Sequence, residues 1–126
     1  MTEQELHRQV AAYLKLQYPN LIFHSDFAAG VKMTMWQAKK NKAIQSGKSW
    51  PDLFIAEPRG EYSGLFIEIK TSLAKVYKKD MSFKKDEHIE AQSGMLDRLY
   101  EKGYLAVFGC GFDECIRIVN DYLSLK

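Results

Sequence analysis

The stretch "SGLFIEIKT", residues 63–71, decides how this chain folds. Leu65, Phe66, Ile67 and Ile69 are what an interior strand needs, yet Glu68 and Lys70 interrupt the run. Side chains alternate across a strand, so Leu65, Ile67 and Ile69 share one face and Phe66, Glu68 and Lys70 the other. The two charged residues therefore point the same way, with Cα atoms roughly 7 Å apart. The run is a strand with an apolar face and a second face that carries chemistry.

Working outward, "PDLFIAEP" (51–58) is a strand between two prolines, and "RGEYSG" (59–64) is the turn that leads into 65–71. Together they form a hairpin. Asp52 stands at the first position of its strand, so hairpin pairing can bring it alongside Glu68. Adjacent carboxylates are costly unless a cation lies between them. Hard oxygen ligands favour Mg²⁺ or Mn²⁺. With Lys70 beside them to hold a water, such a group suits phosphodiester hydrolysis. The plainer alternative is a Glu68–Lys70 or Asp52–Lys70 ion pair on a half-exposed face.

The remaining elements follow from periodicity. Residues 3–17 are helical, with Leu6, Val10, Tyr13 and Leu14 on one side, Thr2 as N-cap and Glu5 placed to complete a capping box. "LIFH" (21–24) is a short strand, and "MTMWQAKKNKAIQ" (33–45) reads as a helix with Trp36 as its buried anchor. Base stacking by Trp36 amid lysines is the other reading. Residues 72–86 lack periodicity and read as a long functional or mobile loop. A helix over 87–102 ends at Gly103, a strand covers 104–109, and a helix over 113–125 starts with Asp113 as its cap.

The chain has 126 residues, 46% of them hydrophobic and 27% charged, which fits one globular domain and not a disordered chain. No apolar run approaches the ~20 residues of a membrane span, and the N-terminus lacks the pattern of a signal peptide. Cys110 and Cys115, with His7, His24 and His88 scattered, make no zinc pattern; they read as reduced cytoplasmic thiols, and the histidines as structural or solvated. The net charge is +2, but its distribution is uneven. Lys32, Lys39, Lys40, Lys42 and Lys48 lie in a stretch without acids, and Lys75, Lys78, Lys79, Lys84 and Lys85 form a second group. Such clusters mark either a polyanion-facing surface or ordinary solvated lysines.

Pro51-Asp52 followed by Glu68-Ile69-Lys70 resembles the PD-(D/E)xK nuclease signature. "GKSWPDLFI" and "GLFIEIKT" resemble the two motif strands of the VRR-NUC type, small nucleases related to archaeal Holliday-junction resolvases. "EAQSGMLDRLYEKGYLAVFG" resembles the following Q-x-x-x-L helix and strand, here Gln92 and Leu96, and "TEQEL" the acidic first helix. The resemblance spans nearly the whole chain. It implies an α/β fold with a restriction-endonuclease-like core, a central mixed sheet flanked by helices in the order α-β-β-β-α-β-α. It implies that Asp52, Glu68 and the Ile69 backbone carbonyl bind Mg²⁺ or Mn²⁺, that Lys70 positions the attacking water and that Gln92 joins the catalytic set. Glu3 fits the first-helix glutamate, with Glu5 as its competitor. The 72–86 insertion departs from the short link of small members and is expected to line a DNA path or act as a lid.

The expectation is a single-domain, metal-dependent DNA endonuclease; the resemblance implies that it leaves a 5′-phosphate and acts on branched or otherwise structured DNA. Resolvase-like cutting implies a homodimer. The lone domain suits a phage or mobile-element protein in the cytoplasm, the host's if phage-encoded. The rival is a catalytically silent nucleic-acid-binding module on the same fold. A nucleotide-handling protein finds no glycine-rich phosphate loop to support it.

Overall fold

The computed structural model describes residues 1–26, 34–47 and 49–126. Lys32 and Lys48 lie outside the described residues. The elements are α1 (Glu3–Gln17), β1 (Phe23–Ser25), α2 (Met35–Ala43), β2 (Leu53–Ile55), β3 (Leu65–Lys70), a 3₁₀ turn (Leu73–Lys75), α3 (Glu87–Glu101), β4 (Leu105–Cys110) and α4 (Phe112–Leu123). Among the described residues no helix is long and apolar enough to cross a membrane.

The sheet order is β1-β2-β3-β4. The first two pairings are antiparallel, and β3 pairs with β4 in parallel, so the sheet is mixed. A parallel pair needs a crossover, which the 72–86 segment and α3 supply. Alternation in β3 sorts its residues as expected. Leu65, Ile67 and Ile69 pack into a core with Leu6, Val10 and Leu14 of α1 and Cys115, Val119 and Tyr122 of α4. On the opposite face Phe66 meets Met95 and Leu99 of α3. The result is an α/β sandwich, with α1 and α4 on one side of the sheet and α3 on the other.

Local chemistry sets the boundaries. Thr2 and Glu5 form a reciprocal capping box, Thr2 Oγ1 accepting from Glu5 N–H at 3.1 Å and Glu5 accepting from Thr2 N–H at 2.9 Å. Asp86 caps α3 through the His88 and Ile89 N–H groups. Gly103 follows α3 with φ +101, a backbone that disfavours any side chain. The α4 helix begins one residue earlier than its sequence implies. Its N-cap is Gly111, and Asp113 falls within the first turn. The Glu114 carboxylate instead reaches back to accept from Cys110 N–H at 2.9 Å. Gly109 lets α4 approach the sheet, since a Cβ there would sit 2.7 Å from Cys115 Sγ and 2.8 Å from Ile67 Cγ2.

One other expectation is corrected. Trp36 is not a core anchor: it is 67% exposed, with Lys40 Nζ 4.4 Å above its ring. The reason is that α2 buries none of its residues and has no apolar stripe to present. The 72–86 segment is a long loop, as its lack of period implies, with one 3₁₀ turn, and apolar side chains hold it to the fold. Val76 is fully buried among Ile89, Leu96, Phe108 and Cys110. Tyr77 stacks on Phe83 at 5.4 Å, and Phe83 packs against Phe108 at 5.9 Å. Its apolar residues are spaced for a folded-back loop, which neither helical nor strand periodicity reveals.

Candidate metal centre

β2 is short, but its register places the key acids. Leu53 pairs with Ile67, so Asp52, one residue earlier, meets Glu68 and Ile69 one residue later. Asp52 Oδ2 accepts a hydrogen bond from Ile69 N–H at 2.8 Å. Asp52 and Glu68 are 8% and 3% exposed, unusually deep for carboxylates. Gln92, projecting from α3, donates through Nε2 to Glu68 Oε1 at 3.1 Å. The Asp52, Glu68 and Gln92 side chains therefore converge from three separate elements.

The electrostatics match that burial. Burial, then the Asp52 carboxyl beside it, pushes Glu68 up to about 10. Burial also raises Asp52, against the pull of the Glu68 carboxyl beside it, of nearby His7 and of the hydrogen bond it accepts from Ile69 N–H. Two buried carboxyls side by side resist ionising together, so without a cation the pair favours keeping one proton. This is the donor chemistry a divalent cation replaces: oxygen ligands, desolvated and short of positive charge. The acid pair therefore fits the metal that the sequence implies.

A cleft of about 390 Å³ opens onto the pair, lined in part by Glu3, Lys70, Lys75, His88 and Gln92. Lys70 continues the face of β3 that carries Glu68, as strand alternation requires. Glu3, not Glu5, faces this cleft, because Glu5 is engaged in the helix cap. The His7 imidazole lowers the Glu3 carboxyl, against a smaller effect of burial, with Lys70 and Lys75 adding to the pull. A larger cavity, about 650 Å³, lies over β4 between α3 and α4, but it contains none of these acids.

The basic residues divide. Lys75 lines the cleft, whereas Lys39, Lys40 and Lys42 lie on exposed α2, and Lys78 and Lys79 on the exposed turn between Tyr77 and Phe83. None of the last five lines the cleft.

One residue of the site escapes a reading by type. His7 is 6% exposed, and its Nε2 stands 3.8 Å from Glu3 Oε1 and 3.7 Å from Asp52 Oδ2. The signal that could have found it is its spacing. Glu3, His7, Val10 and Leu14 fall on one side of α1, the side that meets the sheet. His24 and His88 are exposed. The two thiols are unreactive in character: burial pushes Cys110 up to about 11 and Cys115 up to about 12.

The fold has a solved counterpart. It matches a protein described as "VRR_NUC domain protein", with a TM-score of 0.70 and 26% sequence identity over 99% of this chain and 90% of that one. The fold is of the VRR-NUC type. No family model and no curated protein matches the chain. The correspondence runs along nearly the full chain.

Proposed function

We propose that this chain is a metal-dependent DNA endonuclease of the PD-(D/E)xK kind. The observation that carries the proposal is the buried Asp52–Glu68 pair, Asp52 held by Ile69 N–H and Glu68 by Gln92, in a cleft shared with Lys70. A divalent cation, Mg²⁺ or Mn²⁺, would be held by Asp52, Glu68 and the Ile69 carbonyl, and would supply charge neutralisation at the scissile phosphate.

The chain's own residues do the rest. Lys70 orients the attacking water and stabilises charge building on the phosphate. Gln92 holds the Glu68 carboxylate in one orientation, so the acid is set before substrate arrives. Lys75, at the mouth of the cleft, meets an adjacent phosphate. Exposed lysines of α2 and of the 78–79 turn extend a basic track for the DNA backbone. In-line displacement leaves a 5′-phosphate. Structured DNA is the proposed substrate, and paired cuts across a junction would require a homodimer of this single domain.

The test is a panel of labelled duplex, nicked, flap and four-way DNA with Mg²⁺, Mn²⁺ or chelator, together with Lys70→Ala and Glu68→Ala. Metal-dependent cleavage, lost in both variants, is expected. Binding of DNA without cleavage of any member would favour the silent binding module instead. Cleavage unchanged in both variants would overturn the assignment of the site.

A further inference from the structure

We infer that His7 is a metal ligand, and that Glu3, His7 and Asp52 form a second cation position beside the Asp52–Glu68 pair. The inference rests on the proposed reading of Asp52 as a ligand, but the position itself stands on three features of His7.

First, His7 is more than nine-tenths buried, yet neither ring nitrogen has a hydrogen-bond partner among the described residues. A buried donor or acceptor left without a partner costs about 1–3 kcal/mol, so such groups are rare unless something else fills the place. Second, the nearest polar atoms are carboxylate oxygens at 3.7 and 3.8 Å. That is too long for hydrogen bonds, but it is the separation of two atoms bound to one ion through bonds of about 2.1 Å at a wide angle. Third, one atom from each of Glu3, His7 and Asp52 lies within 4.8 Å of the others, so a single ion can reach all three. Among the described residues Asp52 Oδ2 accepts one hydrogen bond, from Ile69 N–H, which leaves a lone pair for a cation.

The donor set also says which ion. Mg²⁺ takes oxygen ligands almost alone, whereas an imidazole nitrogen suits transition metals. One nitrogen with two carboxylates therefore favours Mn²⁺, and metals further along the same series, over Mg²⁺. The oxygen-only pair at Asp52 and Glu68 has no such preference built in. The two positions would share Asp52 as a bridge and differ in selectivity, with His7 setting the difference.

The experiment uses the full chain, stripped of metal with chelator and then titrated with Mn²⁺. Pulsed electron paramagnetic resonance reads whether a nitrogen is bonded to the ion. Wild type is expected to show ¹⁴N coupling that changes on ¹⁵N-histidine labelling, to lose it in His7→Gln and to keep it in His88→Ala. Calorimetry is expected to resolve two Mn²⁺ positions in wild type, one of them weakened in His7→Gln. The fall in Mn²⁺ affinity at that position should be about tenfold or more. Bound Mn²⁺ without nitrogen coupling, or coupling that survives in His7→Gln, overturns the inference and leaves the nuclease proposal standing. Absence of any Mn²⁺ or Mg²⁺ binding to wild type overturns both. Isotope labelling of the His88→Ala chain, in which His7 is the histidine left beside the cleft acids among the described residues, keeps the test decisive even if His7→Gln fails to fold.

Discussion

Glu68→Gln tests the shared proton directly, without any metal. In the folded chain burial and the Asp52 carboxyl push Glu68 up from 4.5 to about 10. The folded state therefore binds a proton that the unfolded chain releases once pH exceeds 4.5. With more protons on the native state, stability falls as pH rises through that window. Each unit is worth about 1.36 kcal/mol, so the ceiling at about pH 8 is roughly 5 kcal/mol. Asp52 shares the proton and the cleft admits water, so about half of that, ~2 kcal/mol, is expected. Gln at this position keeps the shape, can accept from Gln92 and can donate to Asp52. In chelator, Glu68→Gln should be more stable than wild type by ~2 kcal/mol at about pH 8, and by less than ~1 kcal/mol at about pH 5. Urea denaturation at both values measures the difference. A variant that loses stability equally at both would refute the shared proton and the electrostatic account of the site.

Further outcomes can be checked on the same protein. Mn²⁺ should raise the melting temperature of wild type, more strongly at higher pH because binding displaces the shared proton, while Asp52→Ala should abolish the rise; differential scanning fluorimetry reads both. Reversing Lys39 and Lys40 to Glu should weaken DNA binding and flatten its salt dependence by about one to two in slope, measured by fluorescence anisotropy; an unchanged slope would remove α2 from the DNA path. Gly109→Ala should destabilise the fold by roughly 1–3 kcal/mol, because the new methyl meets Cys115 and Ile67. Adding Cys115→Ala should recover part of that loss in a denaturant double-mutant cycle.

Where local pattern and burial agree, the sequence is legible. The alternation of "LFIEIK" separates the core face from the Glu68 face, and the hairpin turn brings Asp52 to the paired register. The capping box on Thr2 and Glu5 removes Glu5 and leaves Glu3 for the cleft. What periodicity misreads depends on which surface an element meets. Trp36 has the type of a core residue, but α2 packs no stripe against the sheet, so it stays exposed. Val76 and Phe83 lie in a segment without period, and the surface that α3 and β4 form beneath them explains their packing. His7 carries no motif. Its meaning arises where α1 crosses the end of β2, a relation between residues 45 positions apart in the chain.

The bond from Ile69 N–H to Asp52 Oδ2 makes one carboxylate both a seam in the sheet and a member of the candidate centre. The three acids and bases of the site are thus unequal as targets of drift. A descendant that abandons cleavage and keeps the fold can replace Lys70 with little structural consequence, and can replace Glu68 by an amide with a gain. Replacing Asp52 opens the junction of β2 and β3 and leaves a buried N–H bare. Among silent descendants, the aspartate should therefore outlast the lysine, a remnant kept by the architecture after its chemistry has gone.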